Sequence, residues 1–486
     1  FYNPRLHPER AIVRRNLVLR RMREAGYLTQ KDYNEYSVKP IKLNFHNPDF
    51  REGIGTYIRE QIRQDLKAWC EANTKPDGSK WNIYEDGLKV FTTIDSRMQQ
   101  HAEEAMSEHL RELQMQFFKE WRGKEPWKFG SRAKPDLLEK MMKQSERYIT
   151  MKAAGASEKQ IKDAFNTKTA MSVFSWNAEK SSTMDTVMTP MDSLRYYLQM
   201  IQVGFLAVDA QSGAIKAWIG GPNIRYFQLD HARKSTKRQV GSTFKPFQYA
   251  LAVERGFEPC TPIPYVAPQF EGNDKVWDPS ATDRWKEGDL VPMQEGLWFS
   301  DNRITAQLMS ETGPEALVEY ARRLQIESPL EAVPALCLGV SDISLYEMVG
   351  AYTCLANQGK YSKPYYITRI EDKDGNVLAR FGVQHRDAIP ENTAYVTTRM
   401  LQGAIDKGTA ARLRSRYGLK MPLAGKTGTT QGNADAWFIG YTPNLVVGSW
   451  VGFDQPSVHF ASNSSGAGAT AALPIVGGFL RKIYSD

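Results

Sequence analysis

Residues 203–221 read Val-Gly-Phe-Leu-Ala-Val-Asp-Ala-Gln-Ser-Gly-Ala-Ile-Lys-Ala-Trp-Ile-Gly-Gly. Two apolar, β-branched runs, Val203–Val208 and Ala214–Ile219, flank the turn residues Asp209–Gly213, which predicts an antiparallel hairpin. A pair of the same character, Ala436–Tyr441 and Leu445–Phe453 around Thr442-Pro443-Asn444, lies near the other end of the chain. Between them, helical patterns run from Ser242 to about Arg255, stopped by Gly256, from Ser344 to about Asn357, stopped by Gly359, and over Thr393–Asp406. Tyr365–Ile370 and Val377–Phe381 read as a further hairpin. Strands at both ends of mostly helical sequence predict an α+β domain with one antiparallel sheet.

Ahead of residue 201 the texture is helical. Residues 9–26 and Ile54–Trp69 repeat an amphipathic pattern, Asn47-Pro48 breaks the chain between them, and Leu88–Thr93 alternates like a strand. Asp95 then caps a long helix expected from Ser96 to about Gln116. Residues 117–195, rich in Lys, Met, Trp and Ser, read as a helical insertion or connector.

The chain has 486 residues and a net charge of +8, a length that predicts about two to four domains. Apolar residues at 41% and charged residues at 24% exclude wholesale disorder. No apolar run approaches the ~18 residues of a spanning helix. Phe1 leads into Asn-Pro-Arg rather than a secretory pattern, so any anchor or signal is expected outside these residues. The histidines never take an HxxxH spacing, and Cys70, Cys260, Cys337 and Cys354 form no CxxC pair. No metal and no cofactor is expected. Arginines crowd the start from Arg5 to Arg23 without an aromatic-basic motif, the pattern of a solvated helix face, and no nucleic-acid partner is expected.

Three short motifs fall in the second half: Ser242-Thr243-Phe244-Lys245, Ser300-Asp301-Asn302 and Lys426-Thr427-Gly428. A lone SxxK is an ordinary helix start with a surface lysine. Here Gly241 precedes Ser242 and an apolar helix follows, so the serine sits at a helix N-terminus, where free N–H groups and the macrodipole favour a developing anion. A serine hydroxyl needs a base to become a nucleophile, and Lys245, one turn on, is the candidate at short range. To act it must be neutral. Burial among Phe244, Phe247 and Tyr249 and repulsion from Lys426 would depress its pKa. Ser300 and Asn302 alternate around Asp301, so a loop there could aim both inward, Ser300 as proton relay and Asn302 as an amide for substrate. The same residues also read as a plain cap ahead of Ile304.

Gly425-Lys426-Thr427 has a rival reading as the end of a phosphate-binding loop, but the first glycine of that pattern should stand at position 420, which is Lys420. As a lead-in to the 436–441 strand, Lys426, Thr427 and Thr429 offer a cation and two hydroxyls that suit a terminal carboxylate, and the N–H of Thr429 could join that of Ser242 as an oxyanion hole.

SxxK, SDN and KTG in this order are shared by class A β-lactamases and penicillin-binding proteins. The chain resembles bifunctional class A penicillin-binding proteins of the 1A type through Arg238–Phe247, Ala424–Thr430 with Asp435–Gly440, Asp209–Gly221, Val90–Asp95 and Arg14–Leu19. Residues 117–195 take no part in this resemblance. It implies a serine penicillin-recognising transpeptidase fold, an antiparallel sheet with helices packed on both sides, preceded by a mostly helical linker. It places the end of a glycosyltransferase domain at 1–45, a linker region at 46–200 and the transpeptidase domain at 201–486. The acidic glycosyltransferase motif is absent, so polymerising activity is not expected from these residues.

The resemblance further implies a peptidoglycan D,D-transpeptidase with Ser242, Lys245, Ser300, Asn302 and Lys426 as catalytic residues. Thr427, Gly428 and Thr429 would bind substrate, with Ser242 and Thr429 N–H groups as the oxyanion hole. Its partners would be donor and acceptor stem peptides, β-lactam antibiotics and, through a segment outside this sequence, the bacterial cytoplasmic membrane, on whose outer, periplasmic face it would work. In that arrangement the arginine-rich start would lie near anionic lipid. Two alternatives stand beside it: a carboxypeptidase or β-lactam hydrolase using water as acceptor, and a non-catalytic penicillin-binding sensor or scaffold.

Overall fold

A computed structural model describes residues 2–43, 51–176, 182–270, 279 and 282–484. The chain divides into two compact units, Phe1–Glu52 and Gly53–Asp486. In the first, helix Pro8–Glu24 leads to helix Gln30–Val38, and Arg15 ties them by donating to the carbonyls of Ser37 and Lys39. The 45/46 boundary and the Asn47-Pro48 break lie outside the described residues.

The second unit is organised by α1 (Ser96–Glu120), β1 (Gln202–Asp209), β2 (Ile215–Ile219), α2 (Lys245–Glu254), α3 (Asn302–Thr312), α4 (Leu345–Ala356), α5 (Glu391–Asp406), β3 (Ala424–Thr429), β4 (Asp435–Tyr441), β5 (Leu445–Gly452) and α6 (Leu473–Tyr484). The strands form one antiparallel sheet in the order β3-β4-β5-β1-β2. The two ends of the sequence pattern thus meet in the middle of the sheet, where Val446 pairs with Val208 and Val451 with Val203.

Alternation explains why both faces are covered. Val203, Phe205, Ala207, Ala436, Phe438, Val447 and Val451 face one layer, built from α1 and α6. Leu206, Val208, Trp437, Ile439, Val446 and Trp450 face the opposite layer, which holds α2 to α5. A strand buried on both faces reads as a nearly continuous apolar run, as β4 and β5 do. Helix α1 begins at Asp95, whose carboxylate accepts from Arg97 N and Met98 N, and α4 begins in a reciprocal box between Ser344 and Glu347.

The hairpin expected near 365–381 forms, and Ile367–Glu371 and Val377–Arg380 take up Lys89–Thr92 as a third strand in a sheet of their own. Which strand completes a hairpin is a tertiary choice, decided here by the side chains of Trp69, Trp81 and Leu88 that pack around Ile370. The region 117–195 is not wholly helical, because Thr169–Phe174 and Thr183–Met188 pair as a hairpin. Their Thr, Val and Met alternation is short and half exposed, which dilutes the period-2 signal. Helix α1 runs on to Glu120, since nothing before Gly123 ends it.

Candidate active site

Ser242 opens the approach to α2 on a single 3-10 turn, Gly241–Phe244, rather than on the α-helix itself, which starts at Lys245. Three contacts hold that turn. Gly241 N donates to Gly339 O at 2.9 Å, Thr243 Oγ1 donates to Val240 O, and Tyr352 Oη of α4 donates to Thr243 O at 2.6 Å. Gly241 has φ 53°, in the left-handed region, and a Cβ there would lie 2.9 Å from Thr429 O; Gly339 has φ 77°, and its Cβ would meet Gly241 O at 2.0 Å. The backbone before the serine is therefore wedged between the 339 loop and β3.

The Ser300-Asp301-Asn302 segment is both a cap and part of the site. Asp301 accepts from Ile304 N at 2.9 Å and starts α3, while Ser300 takes φ 59°, which turns the chain between helix Met293–Trp298 and α3. Strand β3 forms an edge of the sheet with β4 on one side only, so its other edge faces the 3-10 turn. Ser242, Ser300, Asn302, Thr427 and Thr429 all line one cavity of about 490 Å³.

The two lysines meet at Ser300. Lys245 Nζ donates to Ser300 O at 2.6 Å, Asp301 O at 3.0 Å and Asn302 Oδ1 at 2.8 Å. Lys426 Nζ donates to Ser300 Oγ at 2.7 Å and Thr427 O at 3.0 Å. Both lysines are fully buried. Burial pushes Lys245 down to about 8 against the opposing pull of the Asp301 carboxylate. Lys426 is driven well below the ordinary lysine value, first by burial and then by the charge of Lys245.

The expected arrangement changes in one respect. Among the described residues no hydrogen bond joins Lys245 to Ser242, because the ammonium is turned toward the two backbone carbonyls and the Asn302 amide oxygen. Asn302 is correspondingly a ligand of Lys245 through its amide oxygen. Burial is the first cause of the lowered proton affinity of both lysines, and the charges of the two oppose each other as well. Gly428 contributes closeness: a Cβ there would lie 2.8 Å from Val240 O.

Sequence reasoning missed Thr409. Its hydroxyl lies 2.7 Å from that of Thr427, and it lines the same cavity. Its place depends on Trp298, whose carbonyl accepts from Thr409 N, so only the folded chain could reveal it. Asn463, Ala467 and Ala469 line the cavity from the short helices Asn463–Gly466 and Gly468–Ala471 and the residue between them, and Thr429 Oγ1 anchors the second by accepting from Gly468 N at 3.0 Å.

Residues 203–475 match the family described as the penicillin-binding protein transpeptidase domain. The chain belongs to that family. Residues 122–201 match the penicillin-binding protein middle domain, so the stretch 117–195 does share in the likeness, contrary to its reading from sequence. Similar proteins include Penicillin-binding protein 1A of Aquifex aeolicus, 28% identical across 98% of this chain, and that of Neisseria flavescens, 27% identical across 98%. The chain spans 62% and 61% of the length of these relatives. Among solved structures, Penicillin-Binding Protein 1A from Haemophilus influenzae superposes with a TM-score of 0.70 at 22% identity, covering 100% of this chain and 78% of that one. The PonA1 protein of Mycobacterium tuberculosis in complex with penicillin V gives 0.56 at 20%, covering 88% and 92%. Both show the penicillin-binding protein fold, the α+β architecture expected from the sequence.

Proposed function

We propose that this chain is a serine D,D-transpeptidase that cross-links peptidoglycan stem peptides and is acylated by β-lactams. The observation that carries the reading is the bridge at Ser300. Two buried lysines of lowered proton affinity meet one serine in the cavity that Ser242 lines. In such a site Ser242 Oγ attacks the penultimate D-Ala carbonyl and its proton passes to neutral Lys245 Nζ, which swings from its carbonyl partners toward the hydroxyl. The N–H groups of Ser242 and Thr429 cradle the oxyanion. Lys426, Thr427 and Thr429 hold the terminal carboxylate. The peptide C–N bond breaks, and D-Ala leaves with the proton that Lys245 took from Ser242, handed on through Ser300 and Lys426, so that Lys245 is neutral again. The side-chain amine of a second stem then attacks the ester, forming the new amide; the Oγ–C bond breaks and the amine's proton returns to Ser242 Oγ.

The relatives' names support this reading, and the setting it implies is the outer face of the bacterial cytoplasmic membrane, reached through chain outside these residues. Among the described residues no helix is long and apolar enough to cross a membrane. The test is labelling with a fluorescent penicillin. The wild-type chain is expected to label and Ser242→Ala to stay dark while melting at the same temperature, with a cross-linked dimer formed from pentapeptide substrate. Equal labelling of Ser242→Ala would refute the nucleophile, and release of D-Ala with no dimer would leave water as the acceptor.

A further inference from the structure

A second cavity, of about 580 Å³, is also lined by Gln239 and Val340, the two residues it shares with the catalytic one. Its charged lining is Arg132, Lys134, Lys237 and Arg238 against Asp342 and Asp435. Asp435 is buried and already satisfied: it accepts from Arg238 Nε at 2.8 Å and Trp450 Nε1 at 3.0 Å, and Arg132 lies 3.8 Å away. Arg132 also donates to Gln239 Oε1 at 2.5 Å, which pins the 131–134 segment of the middle region beside the short strand Lys237–Gln239. Among the described residues neither Lys134 nor Lys237 has an acidic partner. The cavity therefore carries a surplus of positive charge that the protein does not itself neutralise.

We propose that this cavity is the acceptor-peptide site and holds that peptide by its free carboxylates, with Lys134 and Lys237 as the recognising groups. The inference rests on the transpeptidase reading. That reaction needs a second peptide whose amine reaches the Ser242 ester, and on this reading the donor's carboxylate end is taken by Lys426, Thr427 and Thr429 of β3. Gln239 and Val340 line both cavities, so this one adjoins the cavity that Ser242 lines. Cations there attract carboxylates and repel an ammonium, so the acceptor is held with its amine directed away from them, toward the ester. The middle region, through Arg132 and Lys134, would thus help to choose the acceptor.

The test uses the full chain, a D-alanyl thioester donor and two acceptors: a lysine tripeptide with two free carboxylates and the same tripeptide as its carboxamide. In the double variant Lys134→Gln, Lys237→Gln, the acceptor KM for the carboxylate form is expected to rise about tenfold, two exposed contacts at about threefold each. The KM for the carboxamide should move by less than about twofold on the same reasoning, and Lys134→Arg, Lys237→Arg should restore the wild-type value. A KM that does not move, or that moves equally for both acceptors, overturns the proposal. A wild-type chain that never forms the acyl-serine overturns the transpeptidase reading, and this site with it.

Discussion

Acylation of Ser242 by penicillin should rise about 50-fold between pH 6 and pH 8 and then level off. The figure follows from Lys245, whose pKa burial lowers to about 8. The active form of the base is the neutral one, so its fraction grows with pH: about 1% at pH 6, about a tenth at pH 7 and half at pH 8. An exposed lysine would instead keep gaining past pH 10. Lys426 titrates as part of the same pair, so the limbs of the profile belong to both groups. Asp301 supplies the internal check. Its charge holds the Lys245 pKa up, and Asp301→Asn removes that charge while the remaining carbonyl oxygen can still cap Ile304 N. The midpoint should then move to lower pH, and the variant should acylate relatively faster at pH 6.5. Stopped-flow acylation with a chromogenic cephalosporin across pH 5.5–10 measures both. A profile flat from pH 6 to 8, one still climbing beyond pH 10, or a midpoint moved upward in Asp301→Asn would refute neutral Lys245 as the base.

Two further outcomes follow from particular contacts. Gly339→Ala should destabilise the fold by about 2–4 kcal/mol, combining left-handed strain with overpacking against Gly241 O, and should slow acylation because the displaced backbone carries Ser242; urea denaturation and penicillin labelling read the two effects, and an unchanged midpoint removes the wedge argument. Thr409→Val deletes the hydroxyl that partners Thr427, a loss of about 1 kcal/mol, which should appear as an about fivefold drop in acylation kcat/KM with little change in melting temperature. Full activity in that variant would mean that the Thr427 hydroxyl needs no positioning.

Much of the site was legible because its motifs are local. Ser242 and Lys245 are one turn apart, and Asp301 caps α3 whatever surrounds it. The direction in which Lys245 Nζ points was not legible. Ser242 and the Ser300 and Asp301 carbonyls compete for it, and the winner depends on where α3 docks against α2. Thr409 and the cationic cavity were invisible for the same reason: each is assembled from segments that carry no signal until they are adjacent.

Residue order alone settled which stretches alternate, where Asp95 and Ser344 begin helices, and the three short motifs at 242–245, 300–302 and 426–428, because these depend on neighbours a few positions away. The edge position of β3, the partner chosen by the 367–380 hairpin and the lowered proton affinity of two lysines were decided by the packed chain. Desolvation is a property of everything that surrounds an ammonium group, and only folding brings those surroundings together.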